Sequence, residues 1–300
     1  MITGEHIFGN NFKDKVAVIT GGSRGIGKAV ADALIKRGAK VVIGDILEAE
    51  GQVLVNTYNE LANEKVAIFI RTDVTKYADN QALFKLAEHE FGGVDLALLN
   101  AGIGSNANST FSPMDDQLDE RIIDINTTAV IKGTKVAVLH MAKRGGGSIV
   151  HLASVAGFYS SFEFASYNAS KHAVIGYTRS FDFLPRICNV RVNALCPYWV
   201  ETDLIQSITN LETPLQTYVK LCPRTPMQTV VDGVLTLFAD ESMNIQTLMA
   251  LPKGLEIMEP IRPLDLSSSV NKGSEMKAYA DEVIPKLKAQ LKAAITKYNI

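Results

Sequence analysis

The amino-acid sequence predicts an α/β fold, a doubly wound parallel sheet in a single domain, and three observations carry that expectation. Between Lys15 and about Gly254, short β-rich runs alternate with longer helical stretches. The β-rich runs are nearly continuous in Val, Ile, Leu and Ala, the pattern of strands covered on both faces. The first run leads directly into a glycine-rich turn and then a helix.

The predicted strands are Val16–Thr20, Lys40–Asp45, Val66–Thr72, Leu96–Asn100, Ser148–Ala153, Arg191–Cys196 and Thr247–Leu251. Between them, Ala29–Lys36, Asn80–Phe91 and Leu118–Met141 place apolar residues three and four apart, the stripe of a helix packed on one side. Strand and helix in strict alternation give a sheet with helices on both faces. Residues 1–14 read as an N-terminal arm, 15–254 as the body, and 255–300 as a C-terminal extension. Pro252, Pro260, Pro263 and the Ser267–Ser269 run predict an irregular connection over 252–273. Beyond it, Met276, Ala280, Val283, Ile284, Leu287, Leu291, Ile295 and Tyr298 mark one face of a helix that Pro285 is expected to kink or split. Lysines dominate its other face, so it docks on the body or on a partner subunit, or else lies on a membrane.

Composition excludes several classes. A net charge of −2 over 300 residues provides no field to draw in nucleic acid or an anionic membrane. No apolar run reaches the length of about 18 residues needed to span a bilayer. Met1–Lys15 lacks the basic-then-apolar layout of a signal peptide. Cys188, Cys196 and Cys222 form no closely spaced pair and the five histidines are scattered, so neither disulfides nor a metal site is expected. The chain reads as cytoplasmic and reduced, and the N-x-[ST] matches at Asn108, Asn126 and Asn168 as coincidental.

The turn after the first strand runs Thr20-Gly21-Gly22-Ser23-Arg24-Gly25-Ile26-Gly27. Glycines let backbone approach a pyrophosphate with no Cβ in the way. The helix that follows presents free N–H groups and a positive dipole end to the anion. Asp45, 18 residues beyond Gly27, ends the second predicted strand, where the adenosine ribose would lie. A carboxylate there accepts hydrogen bonds from the ribose hydroxyls and repels a 2′-phosphate, so NAD is favoured over NADP. Arg24 argues the other way, since a basic residue in the turn could face a 2′-phosphate. This context makes 15–254 a dinucleotide-binding, Rossmann-type catalytic domain.

Tyr167 and Lys171 lie four apart on a predicted helix and so share a face. A phenol holds its proton too tightly to act as a base at neutral pH. A nearby ammonium, with an oxidised nicotinamide, favours the phenolate. Ser154, at the end of the fifth strand, could hold a substrate oxygen beside the phenol. Asn126 could hold a water that links Lys171 to solvent. The Tyr–Lys spacing alone is a weak signal. It gains weight from lying 13 residues after Ser154 and downstream of the turn.

Together, Thr20–Gly27, Asp45, Asp73-Val74, Asn100-Ala101-Gly102, Asn126, Ser154, Tyr167 and Lys171 resemble the short-chain dehydrogenase/reductase family in order and type. The resemblance implies strand order 3-2-1-4-5-6-7 and a homodimer or homotetramer. It also implies that Asp73 and Val74 contact adenine, that Asn100, Ala101 and Gly102 steady the sheet beside the cofactor, and that Lys171 binds the nicotinamide ribose. The segments Ser170–Ser180, Val190–Pro197 and Asp232–Leu237 are similar to the NAD-linked hydroxyprostaglandin dehydrogenase branch, which implies oxidation of a secondary alcohol on an apolar chain. The family carries glycine after the proline of its P-G-x-x-x-T segment. Here Pro197 is followed by Tyr198, with Thr202 in place to bind the carboxamide.

Phe158, Tyr159, Phe162 and Phe164 precede Tyr167, and Tyr198 and Trp199 lie near the cofactor, which predicts an apolar pocket for an alcohol or ketone or else aromatic packing into core or interface. Residues 203–226, with Leu204, Ile205, Leu211, Leu215, Tyr218 and Leu221, predict a cover over it. The expected function is NAD(H)-dependent interconversion of a secondary alcohol and a ketone. The alternatives are an NADP-linked biosynthetic ketone reductase and a catalytically silent dinucleotide-binding regulator.

Overall fold

Each predicted strand is present, because each offers a run of side chains that both sheet faces can bury. A computed structural model describes residues 12–104, 114–159, 164–209, 214–259 and 272–300. The strands are β1 (Val16–Thr20), β2 (Lys40–Asp45), β3 (Ala67–Arg71), β4 (Leu96–Leu99), β5 (Gly147–Leu152), β6 (Val190–Pro197), β7 (Thr247–Leu251) and β8 (Gly254–Ile257). They form one sheet in the order β3-β2-β1-β4-β5-β6-β7-β8, parallel except for β8, which pairs antiparallel with β7. The resemblance thus gave the right order for seven strands. The eighth extends the sheet past residue 254; it is short, its residues are half-buried or exposed, and it follows a proline, so it carries no burial signal.

Helices α1 (Gly25–Ile35) and α2 (Glu48–Ala62) cover one face together with α10 (Met227–Ala239). The other face carries α3 (Tyr77–Phe91), α4 (Asp116–Ile123), α5 (Ala129–Arg144), α6 (Ala165–Thr178) and α7 (Leu184–Cys188). The cap is built from α8 (Asp203–Thr209) and α9 (Pro214–Leu221), and α11 (Lys272–Tyr298) ends the chain. Side-chain amides fix several joints. Asn59 accepts from the Val66 and Ala67 N–H groups and donates to the Ala67 carbonyl, tying α2 to β3. Arg191 donates to the carbonyls of Leu237, Phe238 and Met243, satisfying the open end of α10.

Several sequence expectations are refined. The helix expected over Leu118–Met141 is present and unbroken, with a π turn at Asp124–Thr128 set between α4 and α5. Pro285 neither splits nor ends α11, which runs through it as one 27-residue helix. That helix docks on α7 and α5, burying Ala280 and Ile284, with the Tyr279 ring 6.3 Å from Phe183. The face needed to lie on a membrane is therefore turned to the body there. Phe12, at the described end of the arm, is 2% exposed and packs in the core. The connection over 260–271, like Asn108, Phe162 and Leu211, lies outside the described residues. Asn126 and Asn168 are buried.

Near its carboxyl end, β5 holds a buried imidazole. His151 is fully enclosed, with Nε2 2.8 Å from the Thr134 hydroxyl and Nδ1 2.8 Å from that of Thr178. Burial brings its pKa down from the usual 6.5 to about 3, so the folded state holds it neutral. The unfolded chain binds its proton near 6.5 and the folded chain only near 3. Stability from this group is therefore complete above pH 6.5 and falls as pH drops toward 3, by about 1.4 kcal/mol per unit. Urea unfolding at pH 7 and pH 5 should show this loss in the wild type and a smaller loss in His151→Gln. Equal losses in both proteins would contradict it.

Candidate active site

The strand order reverses between β1 and β4, and the open crevice at their carboxyl ends is where such sheets bind ligands. Here Asn100 donates to the Thr20 and Gly21 carbonyls (3.0 and 2.8 Å), while the Asn100 and Ala101 N–H groups donate to the Thr20 hydroxyl. These bonds stitch the end of β4 to the glycine turn. Gly21 has φ of +64°, and a Cβ there would lie 2.9 Å from the Ala101 Cα. A Cβ on Gly27 would lie 2.3 Å from the Gly21 carbonyl oxygen, so the turn closes only with glycine.

The residues present fit a dinucleotide. Helix α1 begins with no side chain capping its N–H groups, and the Ser23 hydroxyl is buried without a partner. Both leave donors aimed at an anion or a sugar. Asp45 accepts from the Ser23 N–H (3.0 Å) and the Leu47 N–H (3.1 Å), one on each carboxylate oxygen. Each oxygen keeps a lone pair for a ribose hydroxyl. Arg24 does not face the end of β2; its guanidinium pairs with Asp203 of α8 at 3.2 Å. Thr20, Val74 and Ala101 line one small recess beside Leu99. Burial disfavours the Asp73 carboxylate, yet hydrogen bonds from Thr75 and the Lys76 ammonium hold its pKa below the usual range.

The residues expected to carry the chemistry meet at the N-terminal half of α6. Lys171 is 5% exposed and donates to the Leu152 carbonyl at the end of β5 (2.8 Å), with Nζ 5.6 Å from the centre of the Tyr167 ring. Ser154 follows β5 and hydrogen-bonds Tyr167, while its Oγ accepts from the Ala156 N–H. The close approach rests on Gly157, where a Cβ would sit 2.3 Å from Ile175 Cδ1 and 2.9 Å from the Lys171 carbonyl oxygen. Burial pushes the Tyr167 phenol up, opposed by the Ser154 hydrogen bond, and brings Lys171 down to about 8. Buried Cys196 beside them is pushed up to about 12 by burial, which keeps its thiol protonated.

Asn126 projects from the π turn. Its Oδ1 accepts from the Ile103 N–H, and its Nδ2 donates to the Ile103 carbonyl and the Ser170 hydroxyl. A Cβ on Gly102 would lie 3.2 Å from Asn126 Oδ1 and 3.8 Å from Lys171 Nζ, so both groups face one point. Ile103 and Ser170 were not singled out from the sequence; the first acts through its backbone, and a serine inside a helix carries no motif of its own.

Helices α8 and α9 pack an apolar cluster against the phenol. Phe164, Ile205 and Val219 are buried together against Tyr167, Trp199 and Leu204. The Phe164 ring centre lies 6.1 Å from Tyr167 and 5.8 Å from Trp199. Phe158 does not join them; it packs on the sheet side under the Arg179 guanidinium. Tyr198 donates its N–H to the Ala250 carbonyl, and its phenol meets Cys222 and Trp199. Pro197 closes β6 beside Ala250, and the Thr202 hydroxyl donates to the Val200 carbonyl while its methyl faces Gly25.

The sequence profile described as short chain dehydrogenase matches residues 15–213. The chain is 30% identical over 244 residues to the 15-hydroxyprostaglandin dehydrogenase of Bos taurus, whose name specifies NAD(+), covering 77% of this chain and 88% of that one. It is 36% identical over 200 residues to the cis-4-hydroxycyclohexanecarboxylate dehydrogenase of Sinomonas cyclohexanicum, covering 67% and 79%. A short-chain type dehydrogenase/reductase from Mycobacterium marinum superposes with a TM-score of 0.74 at 27% identity, covering 82% of this chain and 97% of that structure. The chain belongs to the short-chain dehydrogenase/reductase family. Within it, it is an enzyme of the alcohol dehydrogenase and ketone reductase class. No helix of the described residues is long and apolar enough to cross a membrane.

The glycine turn makes a direct prediction. Gly27→Ala should weaken NADH binding at least tenfold by fluorescence titration, because the turn must distort to admit the methyl group. Unchanged affinity in a folded variant would contradict the assignment of the crevice.

Proposed function

We propose that the chain is an NAD(H)-dependent oxidoreductase that interconverts a secondary alcohol and a ketone on an apolar substrate, with Tyr167 as acid and base. The observation that carries this reading is the convergence of Ser154, Tyr167 and Lys171 around one hydrogen-bonded point. When bound, the nicotinamide takes or gives the hydride and, in its oxidised form, adds positive charge beside the phenol. Ser154 and Tyr167 together hold the substrate oxygen. Tyr167 removes the hydroxyl proton in oxidation and returns it to the carbonyl oxygen in reduction. Lys171, fixed by Leu152, stabilises the phenolate through its charge and is placed to meet the nicotinamide ribose. Asn126 Oδ1 keeps a lone pair for a water beside Lys171, which would pass the proton outward.

Asp45 and the engagement of Arg24 by Asp203 support NAD over NADP, as does the NAD(+) in the name of the prostaglandin relatives. Gly25, Ile26 and Gly27 at the start of α1 would meet the pyrophosphate, Asp73 and Val74 the adenine, and Pro197 and Thr202 the carboxamide side. Phe164, Trp199, Ile205 and Val219 supply an apolar wall suited to an uncharged alcohol or ketone. A cytoplasmic homodimer or homotetramer belongs to the same reading. Ala165, Ala169, Ala173 and Gly176 line the exposed side of α6, where small side chains admit a close helix neighbour.

Tyr167→Phe should lower turnover by roughly 10²–10⁴ while leaving NADH affinity within about threefold. Retained turnover would overturn the mechanism. Asp45→Ala should narrow the preference for NADH over NADPH at least tenfold in paired titrations. A wild type that binds NADPH more tightly would overturn the cofactor assignment.

A further inference from the structure

The glycine turn and the substrate cap lie far apart in the chain, yet they meet across the mouth of the dinucleotide crevice. Arg24 is the residue immediately before α1, and Asp203 is the first residue of α8. Their ion pair spans 3.2 Å, and both side chains are 55% exposed. Beside the pair the two segments also approach through a side chain, since a Cβ on Gly25 would lie 3.7 Å from Thr202 Cγ2. The neighbouring charges are already matched. Lys28 pairs with Asp32 along α1 at 2.9 Å, and Glu201 pairs with Arg224 at 3.1 Å. Neither is free to replace a lost partner.

The rear of the cap is fixed differently. The Thr225 N–H donates to the Trp199 carbonyl at 2.7 Å, and the Tyr198 N–H to that of Ala250 at 2.9 Å. The first bond ties the two ends of the cap's base to each other, and the second anchors them to β7. The cap's leading helix is held to the turn by a solvated ion pair, a link that breaks far more readily than buried packing. Helix α8 also buries Ile205 against Phe164 and Val219, so the pair at its first residue is the part of its hold that opens readily, over the path by which a dinucleotide enters and leaves.

We propose that Arg24 and Asp203 form a clasp that closes the cap over the crevice and sets the rate of cofactor exchange. The clasp rests on the dinucleotide reading of that crevice, and its residues position the cap rather than touch the reacting atoms. Because the pair is exposed, salt weakens it.

Two measurements test the clasp independently. The first is NADH dissociation, followed by stopped-flow fluorescence in the wild type, Asp203→Asn, Arg24→Gln and the double variant. Each single variant should release NADH about two- to fivefold faster, the range an exposed ion pair supports. The double variant should be no faster than either single one, because the pair acts as a unit. Raising ionic strength should speed release from the wild type and have less effect on the variants, and Asp203→Glu should restore slow release. The second is amide hydrogen exchange over residues 203–209 in the cofactor-free protein, which should quicken in Asp203→Asn. If NADH fails to bind the wild type, the dinucleotide reading falls, and the exchange measurement still decides the clasp. Unchanged exchange, or single effects that add in the double variant, would overturn it.

Discussion

A lysine ammonium taken out of water must find a partner, and Lys171 finds the Leu152 carbonyl at the carboxyl end of β5. That bond pins one turn of α6 against the strand that delivers Ser154. It can form only because Gly157 lets the intervening loop press onto the helix backbone. Once α6 is set there, Tyr167 is one turn back on the same face, with its phenol against Ser154 and its ring beside Nζ. Burial penalises both charged forms, holding the Tyr167 phenol protonated and bringing Lys171 down to about 8, which leaves its ammonium mostly charged at neutral pH.

The remaining architecture positions that unit against the crevice. Asn100 binds the glycine turn to the end of β4, and Asn126 holds the backbone of Ile103 just beyond it to α6 through Ser170. One continuous run, from Thr20 through Asn100–Ile103 to Ser170, therefore links the phosphate end of the crevice to the catalytic helix. The π turn serves this run by bringing Asn126 inward, fully buried, where it meets Gly102. Phe164 packs against both Tyr167 and Trp199, so under the proposed function these rings shape what can reach the phenol.

The sheet was legible because its strands are buried on both sides and are therefore written as unbroken apolar runs; β1, β2 and β7 match the expected limits residue for residue. The exposed β8 has no such pattern. The long helix before β5 is continuous as expected, but the π turn within it was not legible, because one added residue only shifts the phase of an apolar face that each half keeps. At the site, the side chains that lie at fixed intervals on one element, Tyr167 and Lys171, were readable from spacing. Contacts made between distant segments were not. The partner of Arg24 lies in the cap, and the bonds of Asn126 go to a backbone amide and a helix serine. Phe158 and Phe164 are alike in sequence terms, yet one packs under Arg179 and the other against Tyr167. Only the path of the loop separates them.

The central claim is that hydride passes between a dinucleotide in the crevice and an apolar alcohol or ketone under the cap while Tyr167 moves the hydroxyl proton. The most direct test supplies NADH deuterated at the transferable C4 position with a panel of cyclic and long-chain ketones, and reads the alcohol products by mass spectrometry. Deuterium should appear at the carbinol carbon of at least one product, and its rate of appearance should fall by roughly 10²–10⁴ with Tyr167→Phe. Binding of the dinucleotide with no deuterium in any product across the panel would contradict the account.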